Sequence, residues 1–107
     1  MDLSIKKCVP CEGGVPTLDK VEISEYQKHI QSGWHLTSDS KLSREYSFKD
    51  FKNTMGFVNK VADLAEAEGH HPVMHVSYNK VVIELWTHAI GGLSENDFIL
   101  AAKIEKL

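Results

Sequence analysis

No stretch of the 107-residue chain is apolar for long enough to cross a bilayer, and its opening MDLSIKKC has no hydrophobic run of the kind a secretory signal needs. A cytoplasmic protein with no membrane partner is the expectation. Cysteine occurs only at Cys8 and Cys11, too sparse and too closely spaced for a disulfide framework, which fits a reducing compartment. Positive charge is in deficit, because 12 Lys and Arg against 15 Asp and Glu leave a net −3. Such a surface has no basic field with which to hold phosphates, so direct nucleic-acid binding is disfavoured. What remains is ordinary globular material. Hydrophobic residues make up 42% and charged residues 25%, and a chain of this length buries roughly 65% of its unfolded surface, enough for one core.

Two of the three prolines, both cysteines and the pair Gly13-Gly14 fall in residues 1–20, which read as a loop-like leader; residues 21–107 read as one folded domain. Within EISEYQKHIQSG the residues Ile23, Tyr26 and Ile30 share a face, predicting a short helix over Ser24–Ser32 that stops at Gly33. WHL, the polar turn TSDSK and LSREYSF predict a hairpin. Helical spacing returns over Phe48–Glu68, with Phe51, Met55, Val58, Ala62 and Ala65 on one stripe and Gly69 placed to cap the end. VMHVSY and VVIELWTH predict a second hairpin, in which Val81, Ile83 and Leu85 face one way and Val82, Glu84, Trp86 and His88 the other. Ser94 then caps a terminal helix with Asp97 in its first turn. The order α-β-β-α-β-β-α suits an α+β fold: one four-stranded antiparallel sheet with three helices on one face.

Three of the six histidines, His70, His71 and His75, lie within EGHHPVMHVSY, where the long helix ends and a strand begins. Gly69 and Pro72 constrain that connection, and Glu66, His88 and Asp97 are placed to converge on the same pocket. Imidazoles oriented by carboxylates suit general acid-base catalysis near neutral pH. No activated nucleophile accompanies them. Any one of these histidines is a common structural residue, Asp97 alone is a helix N-terminal carboxylate favoured by the dipole, and Glu66 alone is a solvated helix residue. Their joint pattern is what points to chemistry. A metal site built from His70, His71, His75 and His88 with Glu66 is a competing reading, although the spacing matches no zinc motif, and Cys8-Val9-Pro10-Cys11 is half of a zinc ribbon without its other half.

Read as a string, the chain runs Glu66, three residues, His70-His71-Pro72, five residues, Tyr78, nine residues, His88, eight residues, Asp97. That resembles the signature of the pterin-4a-carbinolamine dehydratase family, as do Gly33-Trp34, FKDF, Gly56-Phe57, YNKV and GLSEND. The resemblance implies a four-stranded antiparallel sheet with three helices, and removal of water from a 4a-hydroxytetrahydropterin to give the quinonoid dihydropterin. That reaction would recycle the cofactor of an aromatic amino acid hydroxylase, the expected pathway partner. The resemblance implies no metal and no organic cofactor, and a homodimer or homotetramer. Residue by residue, it makes His70, His71 and His88 the catalytic candidates, with His71 mainly holding the pterin. Glu66 and Asp97 become the residues that orient imidazoles or contact the ring. Where some members carry a tryptophan after HHP, this chain has Val73, Met74 and His75. Met74 is therefore expected to cover the ring through its sulfur, and Trp34 to supply another apolar wall. An interaction module using the face of Val82 and Trp86, either coactivator-like or self-associating, is the alternative from a different class, beside the metal-binding reading.

Overall fold

The computed structural model describes residues 2–9 and 16–107. Its main elements are α1 (Lys20–Gln27), β1 (His35–Leu36), β2 (Leu42–Ser47), α2 (Phe51–Glu68), β3 (Val73–Ser77), β4 (Lys80–Leu85) and α3 (Glu95–Ile104). The expected order is present. All pairs are antiparallel, in a single sheet of order β1-β2-β4-β3, so each hairpin contributes one inner strand and α2 makes the crossover between them.

Alternation along β4 divides the sheet. Val81, Ile83 and Leu85 are fully buried, whereas Val82 and Glu84 are half-buried on the uncovered face. Leu42 stands opposite Leu85, and Tyr46 opposite Val81. Helix α2 packs on β3 and β4, and α3 packs on α2 and α1. Phe57 ties α2 to β2, with ring centroids 4.6 Å from Tyr46 and 5.2 Å from Phe48.

Helix boundaries follow caps more closely than apolar periodicity. α1 starts at Lys20 rather than Ser24 because Asp19 and Glu22 form a reciprocal capping box, and it ends at Gln27; Ile30, beyond its end, still packs on the core. α2 starts at Phe51 rather than Phe48 because Asp50 accepts the Asn53 N–H. The Phe48 N–H instead donates to the Asn79 carbonyl at 2.7 Å, in the β3–β4 turn. The inner stripe of α2 is Thr54, Val58, Val61 and Ala65, and Phe51, expected to face inward, is 51% exposed. Thr54 can occupy a buried position because its hydroxyl donates to the Asp50 carbonyl at 2.8 Å.

α3 is buried on nearly every side, from Asn96 through Ala102. The reason lies in the leader. A 3-10 turn at Leu3–Ile5 packs on α3 with Leu3 in the core, and Lys6 pairs with Glu95 at 2.9 Å. Cys11, the second half of the cysteine motif, lies outside the described residues. Among the described residues no helix is long and apolar enough to cross a membrane.

Candidate active site

Three chain segments meet at one end of α2. Gly69 ends that helix in the left-handed region at φ 66°, which a glycine adopts without steric cost, and its N–H closes on the Ala65 carbonyl. His70 and His71 follow at once. The second segment is the stretch after β4, which stops at Leu85, so Trp86 and Thr87 lie beyond the ladder. His88 opens a 3-10 turn (His88–Ile90) rather than closing the strand, contrary to the parity expected of it. This turn is closed by a bridge in which the Thr87 N–H donates to the Gly92 carbonyl at 2.8 Å, and Gly91 supplies the left-handed corner at φ 67°. The third segment is the first turn of α3.

These segments, with the leader, border a half-open cavity of about 210 Å³. Gly69, His70 and His71 line it from one side; Trp86, Thr87, His88 and Ala89 line it from another; Asn96 of α3 and Val9 of the leader complete it.

The three histidines are held in three different ways. His70 Nε2 lies 2.6 Å from Asp97 Oδ1. Asp97 is 0% exposed, and its other oxygen accepts the Thr87 hydroxyl at 2.8 Å and the Ser94 N–H at 3.0 Å. Three donors and the N-terminus of α3 offset the burial of that carboxylate. Because the Thr87 proton goes to Asp97, the Ser94 hydroxyl, 2.8 Å from Thr87 Oγ1, is the donor in their contact. The carboxylate orients His70 with Nε2–H toward Asp97, and Nδ1 has no hydrogen-bond partner among the described residues. His71 Nε2 meets Glu66 Oε1 at 2.8 Å, a pair exposed to solvent on both sides. His88 is exposed and packs at a tilt against Trp86, with ring centroids 4.3 Å apart and planes inclined at 52°, while Lys41 Nζ sits 4.0 Å from the Trp86 ring centroid.

The remaining expected site residues lie elsewhere. Met74 stands opposite the buried Ile83 and packs against the core from the helix-covered side of the sheet. Trp34 is 4% exposed within the core, with the Arg44 guanidinium over its ring. Neither lines the cavity, because period-2 alternation sends Met74 inward and the approach to β1 buries Trp34. His75 pairs with Glu84 at 3.1 Å on the uncovered face, away from His70. Among the described residues, no three His, Cys, Asp or Glu side chains are grouped so as to hold a metal ion. Sequence reasoning did not assign Thr87, Asn96 or Val9 to the site, and it placed Trp86 on an interaction face. The adjacency of Trp86 and Thr87 to His88 was the available signal.

The sequence matches the family described as pterin 4 alpha carbinolamine dehydratase over residues 16–107. The chain belongs to this family of hydro-lyases. A relative from Nitrosomonas eutropha, named for the same family, is 54% identical over 106 residues, covering 99% of this chain and 93% of its own length. The mitochondrial pterin-4-alpha-carbinolamine dehydratase 2 of Arabidopsis thaliana is 51% identical over 112 residues, covering 99% of this chain and 59% of that longer protein. A crystal structure of a transcriptional coactivator/pterin dehydratase from Brucella melitensis has a TM-score of 0.78 at 32% identity, covering 84% of this chain and 96% of that one.

Proposed function

We propose that the chain removes water from a 4a-hydroxytetrahydropterin to give the quinonoid dihydropterin, with His70 and His88 as the proton-transfer groups. The observation that carries this reading is the His70–Asp97–Thr87 chain of hydrogen bonds, which ends at a cavity that His88 also lines. At about 210 Å³ the cavity is smaller than the ~300–1,000 Å³ of sites for drug-sized ligands, which suits a bicyclic ring.

The carbinolamine carbon bears a hydroxyl and a ring nitrogen. The nitrogen lone pair forms the new C=N bond as the C–O bond breaks. One imidazole, as imidazolium, protonates the departing oxygen so that it leaves as water, and the other, as neutral base, takes the proton from ring nitrogen. Proton count on the protein is restored by exchange with solvent. His70, oriented by Asp97 and open at Nδ1, is built for one of these transfers; His88, packed against Trp86 with its ring nitrogens free of hydrogen bonds among the described residues, suits the other. His71, paired with Glu66 at the rim, serves to hold the pterin. A reaction of this kind recycles the pterin cofactor of an aromatic amino acid hydroxylase.

The test is the dehydration rate of a 4a-hydroxytetrahydropterin with the protein and with His70→Ala and His88→Ala, each with and without a chelator. Each substitution is expected to lower turnover by ~10²–10⁴-fold with the fold retained. Full turnover in both variants overturns the assignment. Loss of activity in chelator would instead favour a metal.

A further inference from the structure

We infer that the leader forms one wall of the ligand site and that Val9, held in place by Asn96, sets affinity for the flat heteroaromatic substrate without taking part in proton transfer. The inference rests on the pterin reading of the cavity and extends it to a segment that precedes the family match at residue 16.

Three observations carry it. Val9 and Asn96 both line the cavity that His70 and His88 share. The Asn96 side chain binds both backbone groups of Val9: the Val9 N–H donates to Oδ1 at 3.0 Å, and Nδ2 donates to the Val9 carbonyl at 2.6 Å. Such a two-point clamp satisfies a buried amide while fixing position and direction of the chain at that residue. One residue earlier, the Cys8 N–H donates to Glu68 Oε1 at 2.9 Å, and Cys8 Sγ donates to the Asn96 carbonyl at 3.6 Å. The segment is therefore anchored to the last turn of α2 and the first turn of α3, the two helix ends that present His70 and Asp97.

The Val9 side chain itself is not used by the core. The residue is 65% exposed, so the anchoring serves the backbone and leaves an apolar side chain at the mouth. An isopropyl group there can cover part of a planar ring that enters between the histidines, a contact present equally in ground and transition states. Contacts of that type lower KM and leave kcat alone.

Val9→Asp tests this at an exposed position where folding does not depend on the side chain. The expected result is a KM for 4a-hydroxytetrahydropterin raised about five- to tenfold with kcat changed less than twofold and the thermal midpoint unchanged. Asn96→Ala, which releases the clamp, is expected to raise KM similarly and to speed alkylation of Cys8, read in a Cys11→Ser background. A KM for Val9→Asp within twofold of the unaltered protein overturns the inference, as does a loss confined to kcat. If the unaltered protein accelerates no dehydration, the dissociation constant for 7,8-dihydrobiopterin, measured by tryptophan fluorescence, decides instead. Weaker binding by Val9→Asp supports the wall, equal binding overturns it, and no pterin binding by either protein overturns both the wall and the pterin reading.

Discussion

At the scale of single residues the site depends on one buried carboxylate. Asp97 has no solvent to stabilise it, and its satisfaction comes from His70, Thr87 and Ser94. Thr87→Val keeps the volume and removes the hydroxyl, leaving Asp97 Oδ2 and the Ser94 hydroxyl each short of a partner. That change is expected to destabilise the protein by ~1–3 kcal/mol and to lower kcat, with Thr87→Ser restoring most of both. Urea unfolding and steady-state kinetics on the two variants check it, and a Thr87→Val protein of full stability and kcat would contradict it. The sequence put Asp97 within reach of the histidine pocket, and the family resemblance made it a candidate to orient an imidazole; that its partner is His70 came from the structure. Thr87 was not legible, because a hydroxyl among apolar neighbours has no signature until the carboxylate it serves is located.

Two elements of the site are turns with left-handed corners. Gly69 and Gly91 sit at φ 66° and φ 67°, and although neither would crowd a neighbour with a Cβ, that backbone region costs an L-residue ~1–2 kcal/mol. Gly69→Ala and Gly91→Ala are each expected to lower unfolding free energy by about 1 kcal/mol. Gly56, mid-way along α2 with open space around a Cβ, provides the contrast. Gly56→Ala is expected to stabilise by ~0.5–1 kcal/mol, since alanine restrains the unfolded chain and suits a helix. Chemical denaturation of the three variants checks the signs. Periodicity located α2, and Gly69 was recognisable as its stop. The inner stripe shifted to Thr54, because a hydroxyl bonded to the preceding turn hides as readily as a methyl group.

On the scale of the whole molecule, two carboxylates, Glu68 and Glu95, help to hold the leader. The Cys8 N–H holds the Glu68 carboxyl below its ordinary value of 4.5, and Lys6 does the same for Glu95. A depressed carboxyl contributes stability that is fully present above its unfolded-state pKa and is lost as pH falls through the folded-state value. Glu68→Gln is thus expected to lower the thermal midpoint at pH 7, with the difference shrinking below about pH 4.5 as the native carboxyl is protonated. Melting curves from pH 3 to 7 test this; a constant difference would sever Glu68 from the pH dependence. Burial and Glu68 push the Cys8 thiol up to about 12, so Cys8 is poorly nucleophilic while the leader is seated. From sequence alone came the element order, the sheet-face parity of β4 and the histidine-carboxylate spacing, because these are periodic or local and each repeats a rule of helix or strand geometry. Folding in three dimensions settled that Trp34 and Met74 go to the core, that Trp86 and Thr87 go to the cavity, and that the leader supplies a wall. Those outcomes depend on contacts between residues far apart along the chain, such as Val9 and Asn96, 87 positions apart, and no local pattern carries them.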